Sequence, residues 1–233
     1  MFTKIKKHIN IFFIIIFSQL SHIKNSDKEY AIEYNIICIN GYSRDLFRLK
    51  NDQPFPKVYI NDTEKTSEIM NKTNIYSYKC SSEGNIIIRL VWDTKLTNME
   101  SMFGFVFGQD YITFIDFTNF DSSEVISMEC LFCNGNGIKH ISFNNFNTSK
   151  VTNFKQMFLY CTQLVSLNLS SFDTRNVVTM DSMFDECRSL TYLNINNFNT
   201  SKVIDMNNMF GECFYLSSLN LFVVNTMNVN SMA

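Results

Sequence analysis

A 26-residue segment occurs three times in succession between Asn147 and Val224, and this repetition constrains the fold more than any other feature. The copies begin at Asn147, Asp173 and Asn199, and each contains an Asx-Thr pair, a Met-Phe pair, a Cys and a Leu-x-x-Leu-x-Leu run, with Ile at the last position of the second copy. Repetition at such a period is typical of arrays in which each unit buries its apolar face only against its neighbours. We therefore expect a single elongated body of stacked units.

Each unit contains two hydrophobic spacings. In the second copy, apolar residues recur at steps of three and four from Val177 to Leu190, which indicates one face of a helix. Leu193 and Ile195 are then separated by two, as in a short strand. The Asx-Thr pairs fit helix N-caps, whereas a ladder of calcium ligands would have too few carboxylates per site. The predicted fold class is α/β, a leucine-rich-repeat-like solenoid with a short strand plus a helix in each 26-residue unit.

The N-terminal segment is predicted to be a signal peptide, residues 1–21. Lys4, Lys6 and Lys7 precede a short apolar run over residues 9–17, which is typical of a secretory signal. That run is too short to span a bilayer comfortably. An uncleaved anchor is the alternative.

Two further regions follow. Residues 22–92 lack the repeat, contain both prolines and several short β-rich runs, and are predicted to form a β-rich N-terminal capping region. Cys38 and Cys80 are the only cysteines there, so a disulfide is expected in an oxidising compartment, with two buried free thiols as the alternative. Residues 93–233 are predicted to form the repeat solenoid, with two degenerate units before the three good copies and an incomplete last repeat.

Charge and histidine content argue against several functional classes. The net charge is −2 with no basic stripe, which argues against nucleic-acid binding. Of three histidines, only His140 lies clear of the signal segment, so neither a Ser-His-Asp arrangement nor a mixed His/Cys zinc site is expected. We predict no catalytic residues, no metal and no cofactor.

The cysteines of the repeats require a separate interpretation. Cys161, Cys187 and Cys213 recur at the repeat period, and we expect them to be buried free thiols that pack as small hydrophobic residues. Cys130 and Cys133 have the spacing of a redox motif, but they fall on a predicted helical face, which favours a structural role.

The repeated pattern resembles a known family. The string V-x-x-M-x-x-M-F-x-x-C-x-x-L-x-x-L-x-L, preceded by F-[DN]-T-S, is similar to the repeat of BspA-like surface proteins, the DUF285 family, and the resemblance extends from Lys95 to the end of the chain. This resemblance implies a leucine-rich-repeat-like surface protein. It also implies adhesion and contact with a host or a matrix, which the residues themselves do not indicate.

A binding surface is predicted between the inward-facing Leu positions of the strands, where neutral amides and hydroxyls form two columns. The first column is Asp116, Ser142, Asn168, Asn194 and Asn220. The second column is Thr118, Asn144, Ser170 and Asn196, followed by Phe222. These side chains suit hydrogen bonds to sugars, peptides or matrix proteins, and a merely solvated sheet face is the alternative. Sequons that fit a secretory route begin at Asn61, Asn71, Asn147, Asn168 and Asn199.

The sequence and the family resemblance together predict a secreted or cell-surface repeat protein that acts as a non-enzymatic binding or adhesion module, where adhesion is implied by the resemblance alone. Its expected partner is a protein or glycan ligand at the cell surface, with no nucleic acid and no membrane span after signal cleavage. The alternative is a structural or antigenic surface-coat component without a dedicated ligand.

Overall fold

The computed structural model describes residues 30–50, 52–104, 112–217 and 226–231. The predicted signal peptide, residues 1–21, lies outside the described residues. The described residues form eleven strands: β1 Tyr30–Cys38, β2 Ser43–Arg48, β3 Lys57–Ile60, β4 Thr63–Glu64, β5 Met70–Lys72, β6 Ile75–Lys79, β7 Gly84–Trp92, β8 Ile112–Asp116, β9 His140–Ser142, β10 Ser166–Asn168 and β11 Tyr192–Asn194.

The largest sheet has six strands in the order β4-β3-β7-β1-β8-β9. Strands β1 and β7 are antiparallel and paired along their whole length, while β8 and β9 are parallel. Ile32, Tyr34 and Ile36 of β1 are buried, and the alternate residues Glu33 and Asn35 face outward, as expected for a sheet with one covered face. Because β1 also pairs with β8, this sheet joins the N-terminal region to the first repeated units.

A second sheet of three antiparallel strands, β2-β6-β5, completes the N-terminal region. Phe47 of β2 stacks on Tyr76 of β6 with ring centroids 5.0 Å apart. A disulfide joins Cys38, the last residue of β1, to Cys80, which directly follows β6, with 5.6 Å between the Cα atoms. The cross-link therefore fastens the two sheets together.

The predicted fold class, an α/β leucine-rich-repeat-like solenoid with a helix in each unit, is wrong. In the described part of the chain, the only helical segment is a 3-10 turn of three residues, Thr66–Glu68. The protein is nearly all β and turn, and its sheets mix parallel and antiparallel pairs. Parallel pairing occurs between β8 and β9 and between β10 and β11.

Consecutive tight turns replace the expected helix. In the second copy, Ser182 and Glu186 have φ angles of 54° and 64°, and such left-handed residues interrupt a right-handed helix. The amide of Met183 donates to the Met180 carbonyl at 3.2 Å, but the next amide, that of Phe184, donates to a residue of the following copy at 2.9 Å. Turns of this kind also advance the apolar positions by three or four residues, so the spacing did not distinguish them from a helix.

Single parallel bridges connect the successive turn segments. The bridged residues are Asn98, Ser127, Asn153, Thr179, Asp205 and Ser231. Beneath them runs a column of buried or half-buried phenylalanine rings, Phe132, Phe158, Phe184 and Phe210, stacked at centroid distances of 5.4, 5.4 and 5.6 Å. One apolar core extends from β1 through this column to the third copy.

The Asx-Thr pairs also have a different role from the predicted helix caps. Thr174 is buried, and its Oγ1 donates to the Asn199 carbonyl at 3.0 Å while accepting from the Asn199 amide at 2.7 Å. Asp173 accepts a hydrogen bond from the Arg175 amide at 3.2 Å, which forms an Asx turn. The pair therefore satisfies backbone groups of the neighbouring copy and of its own turn.

Candidate functional site

The predicted first column lies on the outward side of strands β8 to β11. Asp116 pairs in register with Ser142, and Asn168 pairs in register with Asn194. All four residues are exposed or half-buried. The fifth member, Asn220, and Phe222 of the second column lie outside the described residues.

The second column joins the first through side-chain hydrogen bonds. Thr118 donates from Oγ1 to Asp116 Oδ1 at 2.6 Å, and its Oγ1 lies 3.3 Å from Ser142 Oγ. Asn144 Nδ2 donates to Ser142 Oγ at 3.1 Å. The structure thus brings these four predicted residues into one connected polar network.

The later members use their oxygens locally. Asn168 and Asn194 each accept, through Oδ1, the amide hydrogen of the residue two positions on, from Ser170 at 3.1 Å and from Asn196 at 3.2 Å. Neither the Asn168 nor the Asn194 Nδ2 group donates to another residue in the described ranges. Two amide donors therefore remain available to a ligand on this surface.

A third column, which the sequence interpretation missed, lies beside the first. Phe114 pairs with His140, and Ser166 pairs with Tyr192, which is 53% exposed. Partial burial, together with the charge of Lys139, lowers the pKa of His140, so its imidazole is neutral at pH 7. The sequence offered one indication of this column, because each of its members lies two residues before a member of the first column. We call these three columns together the outer face.

The outer face becomes charged towards the N-terminal region. Glu33 of β1 lies opposite Asp116 on one side and opposite Arg89 on the other. The Arg89 guanidinium lies 3.9 Å from the Glu33 carboxylate and 4.4 Å from the centroid of the Tyr59 ring. Burial raises the pKa of Glu33, Arg89 opposes that shift, and Asp116 adds to it.

A polar cleft of about 390 Å³ adjoins the second column where the N-terminal region meets the repeats. Its lining includes Tyr30, Thr118, Asn119, Asp121, Asn145 and Asn147. Burial disfavours ionisation of Asp121, but hydrogen bonds from Ser123 and Lys95 outweigh it and lower the pKa of Asp121 to about 2. The sequence interpretation missed this cleft because Tyr30 comes from a segment remote from the repeats.

The repeat cysteines are poorly suited to chemistry. Cys161 is fully buried, and burial raises the pKa of its thiol to about 12. Cys187 is also buried with a raised pKa, and the half-buried Cys213 has a pKa raised to about 11. Each thiol donates to a phenylalanine carbonyl of the preceding unit, from Cys161 to Phe132 at 3.4 Å, for example.

Cys130 and Cys133 form a disulfide with 4.7 Å between their Cα atoms, and both are buried. They lie in a turn segment and not on the helical face that was predicted. Within the ranges that the structure describes, no three His, Cys, Asp or Glu side chains are grouped so as to hold a metal ion.

The five predicted sequon asparagines are all exposed: Asn61, Asn71, Asn147, Asn168 and Asn199. Asn61 accepts the Ile87 amide through Oδ1 at 2.9 Å, and Asn147 accepts the Ser149 amide in the same way, which leaves the Nδ2 atom of each outside these bonds. Asn168 belongs to the first column, so a glycan there would cover part of the outer face.

No helix among the described residues has the length and apolarity needed to cross a membrane.

Comparison with known proteins gives one match, to a family model. No curated protein and no solved structure matches the chain. Residues 135–233, which include all three good copies, match the family model described as "Mycoplasma protein of unknown function, DUF285".

Proposed function

We propose that this chain is a secreted or cell-surface binding module, without enzymatic activity, that engages a protein or glycan ligand through its outer face. The observation that carries the proposal is the row of hydroxyl and amide groups on the outer face, in which Thr118, Ser142 and Asn144 are joined by hydrogen bonds. Further along the same face, the Nδ2 donors of Asn168 and Asn194 are left for a ligand. Neutral donors and acceptors held on strands can recognise a partner with little loss of side-chain entropy on binding.

Two further findings support the surface location. The Cys38–Cys80 disulfide is of the kind that persists in oxidising compartments. The match over residues 135–233 supports the DUF285 part of the resemblance, and the adhesive role is carried over from the resemblance to BspA-like surface proteins. Mass spectrometry of the protein expressed in its own secretory pathway tests the location. A cleaved N-terminus supports secretion, and an intact Met1 with seven reduced thiols would contradict it.

Binding is tested with the immobilised full chain against fibronectin, laminin, collagen and a glycan array. The informative variant is Asn168→Asp with Asn194→Asp, because aspartate keeps the Oδ1 acceptor of each turn and removes the Nδ2 donor. Two lost hydrogen bonds of about 1 kcal/mol each predict affinity lower by roughly 30-fold.

The matched control adds the same two charges outside the outer face, through Asn136→Asp and Gln163→Glu, both at exposed positions. The control should bind as the unmodified chain does. Saturable binding lost only in the outer-face variant supports the proposal. No saturable binding to any probe would contradict it and favour a coat component without a dedicated ligand.

A further inference from the structure

The polar cleft beside Thr118 is lined by side-chain amides whose hydrogen-bonding groups are partly or wholly unused within the described residues. The side chains of Asn119 and Asn145, both exposed, make no hydrogen bond to another described residue. Asn147 uses Oδ1 for the Ser149 amide, and its Nδ2 makes no hydrogen bond within the described ranges. Three amide groups therefore face one cleft of about 390 Å³ with donors to spare.

The backbone around these amides is fixed by its own contacts. Asn145 has a φ of 61°, a left-handed conformation that Asn tolerates better than most residues. The Asn119 carbonyl accepts the amide hydrogen of Ala31 at 3.2 Å, which ties the turn after β8 to the start of β1. The Asn147 amide donates to the buried Ser122 Oγ at 2.8 Å. The cleft is thus built from turns held by hydrogen bonds on either side of the junction.

The charge of the cleft is balanced. Asp121 is ionised at neutral pH, and Lys95 Nζ lies 2.9 Å from its Oδ2 and 2.8 Å from Ser123 Oγ. An anionic ligand would meet the Asp121 carboxylate, and a cationic ligand would compete with Lys95. The half-buried Tyr30 adds an aromatic wall with a phenolic hydroxyl. Neutral amides, a hydroxyl, a compensated carboxylate and the aromatic residues Tyr30 and Phe120 together suit a neutral molecule rich in hydroxyl groups.

We infer that this cleft is a binding site for one residue of a neutral saccharide, held by the Asn119, Asn145 and Asn147 amides against the Tyr30 ring. The inference rests on the proposed binding function and names its ligand class. Thr118 belongs both to the cleft and to the second column, so a glycan seated in the cleft extends directly onto the outer face. The volume of the cleft suits one pyranose ring. Its lining disfavours a large apolar ligand, because Tyr30 and Phe120 are the only aromatic lining residues and none is aliphatic.

The test is saturation-transfer NMR with the full chain and four probes: methyl mannoside, methyl galactoside, N-acetylglucosamine and, as the acidic counterpart, N-acetylneuraminic acid. We expect transfer to at least one neutral sugar. The side-chain amide signals of Asn119 and Asn145 should shift with the same dissociation constant. The double variant Asn119→Ala, Asn145→Gly should weaken binding by about 10- to 100-fold, because each neutral hydrogen bond contributes about 0.5–1.5 kcal/mol. Glycine is chosen because it keeps the left-handed backbone at position 145.

The matched control is Ser171→Ala, since Ser171 is the exposed equivalent of Asn145 in the next unit and does not line the cleft. It should leave sugar binding unchanged. Transfer to none of the neutral sugars, or equal binding by the double variant, would overturn the inference. If a matrix protein still binds the outer face in that case, the proposed function stands and only the saccharide site fails. If no probe of either kind binds, both fail.

Discussion

The N-terminal region and the repeated region satisfy the hydrogen bonds of their backbone groups in different ways. In the N-terminal region, β1 and β7 pair residue by residue over nine positions, from Tyr30 with Trp92 to Cys38 with Gly84. In the repeats, no described strand after β8 is longer than three residues, and turn amides alternate between their own turn and the next unit. A long ladder tolerates the loss of one pair, whereas each repeat depends on a few contacts at fixed positions.

This difference predicts where each region is vulnerable. The N-terminal sheets are cross-linked by a disulfide between residues far apart in sequence. Loss of that disulfide should therefore destabilise this region more than loss of any single side-chain contact. The repeats are connected by buried hydroxyls such as Thr174 and by left-handed residues such as Gln156, so their weak points are single side chains and single φ angles.

The largest effect is expected from removal of the Cys38–Cys80 disulfide by Cys38→Ala with Cys80→Ala. The cysteines are separated by 42 positions, and closing a loop of that length lowers the entropy of the unfolded chain. The expected loss is about 4 kcal/mol in the free energy of unfolding, compared with about 2 kcal/mol for the short Cys130–Cys133 loop. Denaturant unfolding of both double variants measures this. Equal losses would contradict the assignment of the weak point to the N-terminal region.

The second expected effect concerns Thr174→Val in the repeats. Valine keeps the volume but removes the hydroxyl that both donates to and accepts from the Asn199 backbone. An unsatisfied buried backbone group costs about 1–3 kcal/mol, so unfolding should occur at correspondingly lower denaturant. Thr191→Val is the control, because Thr191 is exposed and its hydroxyl makes one bond, to the Val165 carbonyl at 3.0 Å. The two variants having the same stability would refute the proposed role of the buried threonines.

A smaller effect, of opposite sign to that in a helix, is expected for Gln156→Gly. Gln156 has a φ of 56°, so glycine removes a left-handed strain of about 1–2 kcal/mol while increasing the entropy of the unfolded chain. The net change should lie between neutral and about 1 kcal/mol of stabilisation. Gln163 is exposed and its φ is not positive, so glycine relieves no strain there. Gln163→Gly should therefore lower the free energy of unfolding by about 0.5–1 kcal/mol. A loss at position 156 as large as that at 163 would restore the helical interpretation.

The smallest effect is expected at the junction, from the pair of Asp121 and Lys95. The folded-state pKa of Asp121 is about 2 and the ordinary value is 3.8, because hydrogen bonds from Ser123 and the pairing with Lys95 favour the carboxylate. These contacts stabilise the protein above pH 3.8, and their contribution is lost as pH falls towards 2. Asp121→Asn should flatten the acid limb of the plot of melting temperature against pH, and Lys95→Gln should flatten it less, because the hydrogen bonds from Ser123 to Asp121 remain. An unchanged acid limb in both variants would show that the ion pair does not couple to folding.

The pattern of buried residues was predictable from the sequence, whereas the local backbone was not. Val177, Met180, Met183, Phe184 and Cys187 were assigned to one apolar face, and all five are fully buried. The helix itself was wrong because a spacing of three and four residues fits consecutive turns equally well. The sign of φ at Ser182 and Glu186 decides between the two, and neither residue type signals a left-handed conformation.

The candidate site was predictable to a similar extent. The spacing of two in the strand half placed Asp116 with Ser142, and Asn168 with Asn194, which pair in register. The contribution of Glu33 and of Tyr30 was not predictable, because it depends on the antiparallel pairing of β1 with β8 across the junction. The repeat specifies contacts between repeats, and it contains no information about what the N-terminal region places against them.

The most direct test of the central claim, that each unit folds as a short strand plus interlocked turns, is solution NMR of the isotopically labelled full chain. We predict non-helical secondary chemical shifts at residues 177–190, with positive-φ coupling constants at Ser182 and Glu186. Cross-unit contacts should also appear between the bridged residues Asn153 and Thr179. An uninterrupted helical run of shifts across residues 177–190, without those cross-unit contacts, would contradict the account.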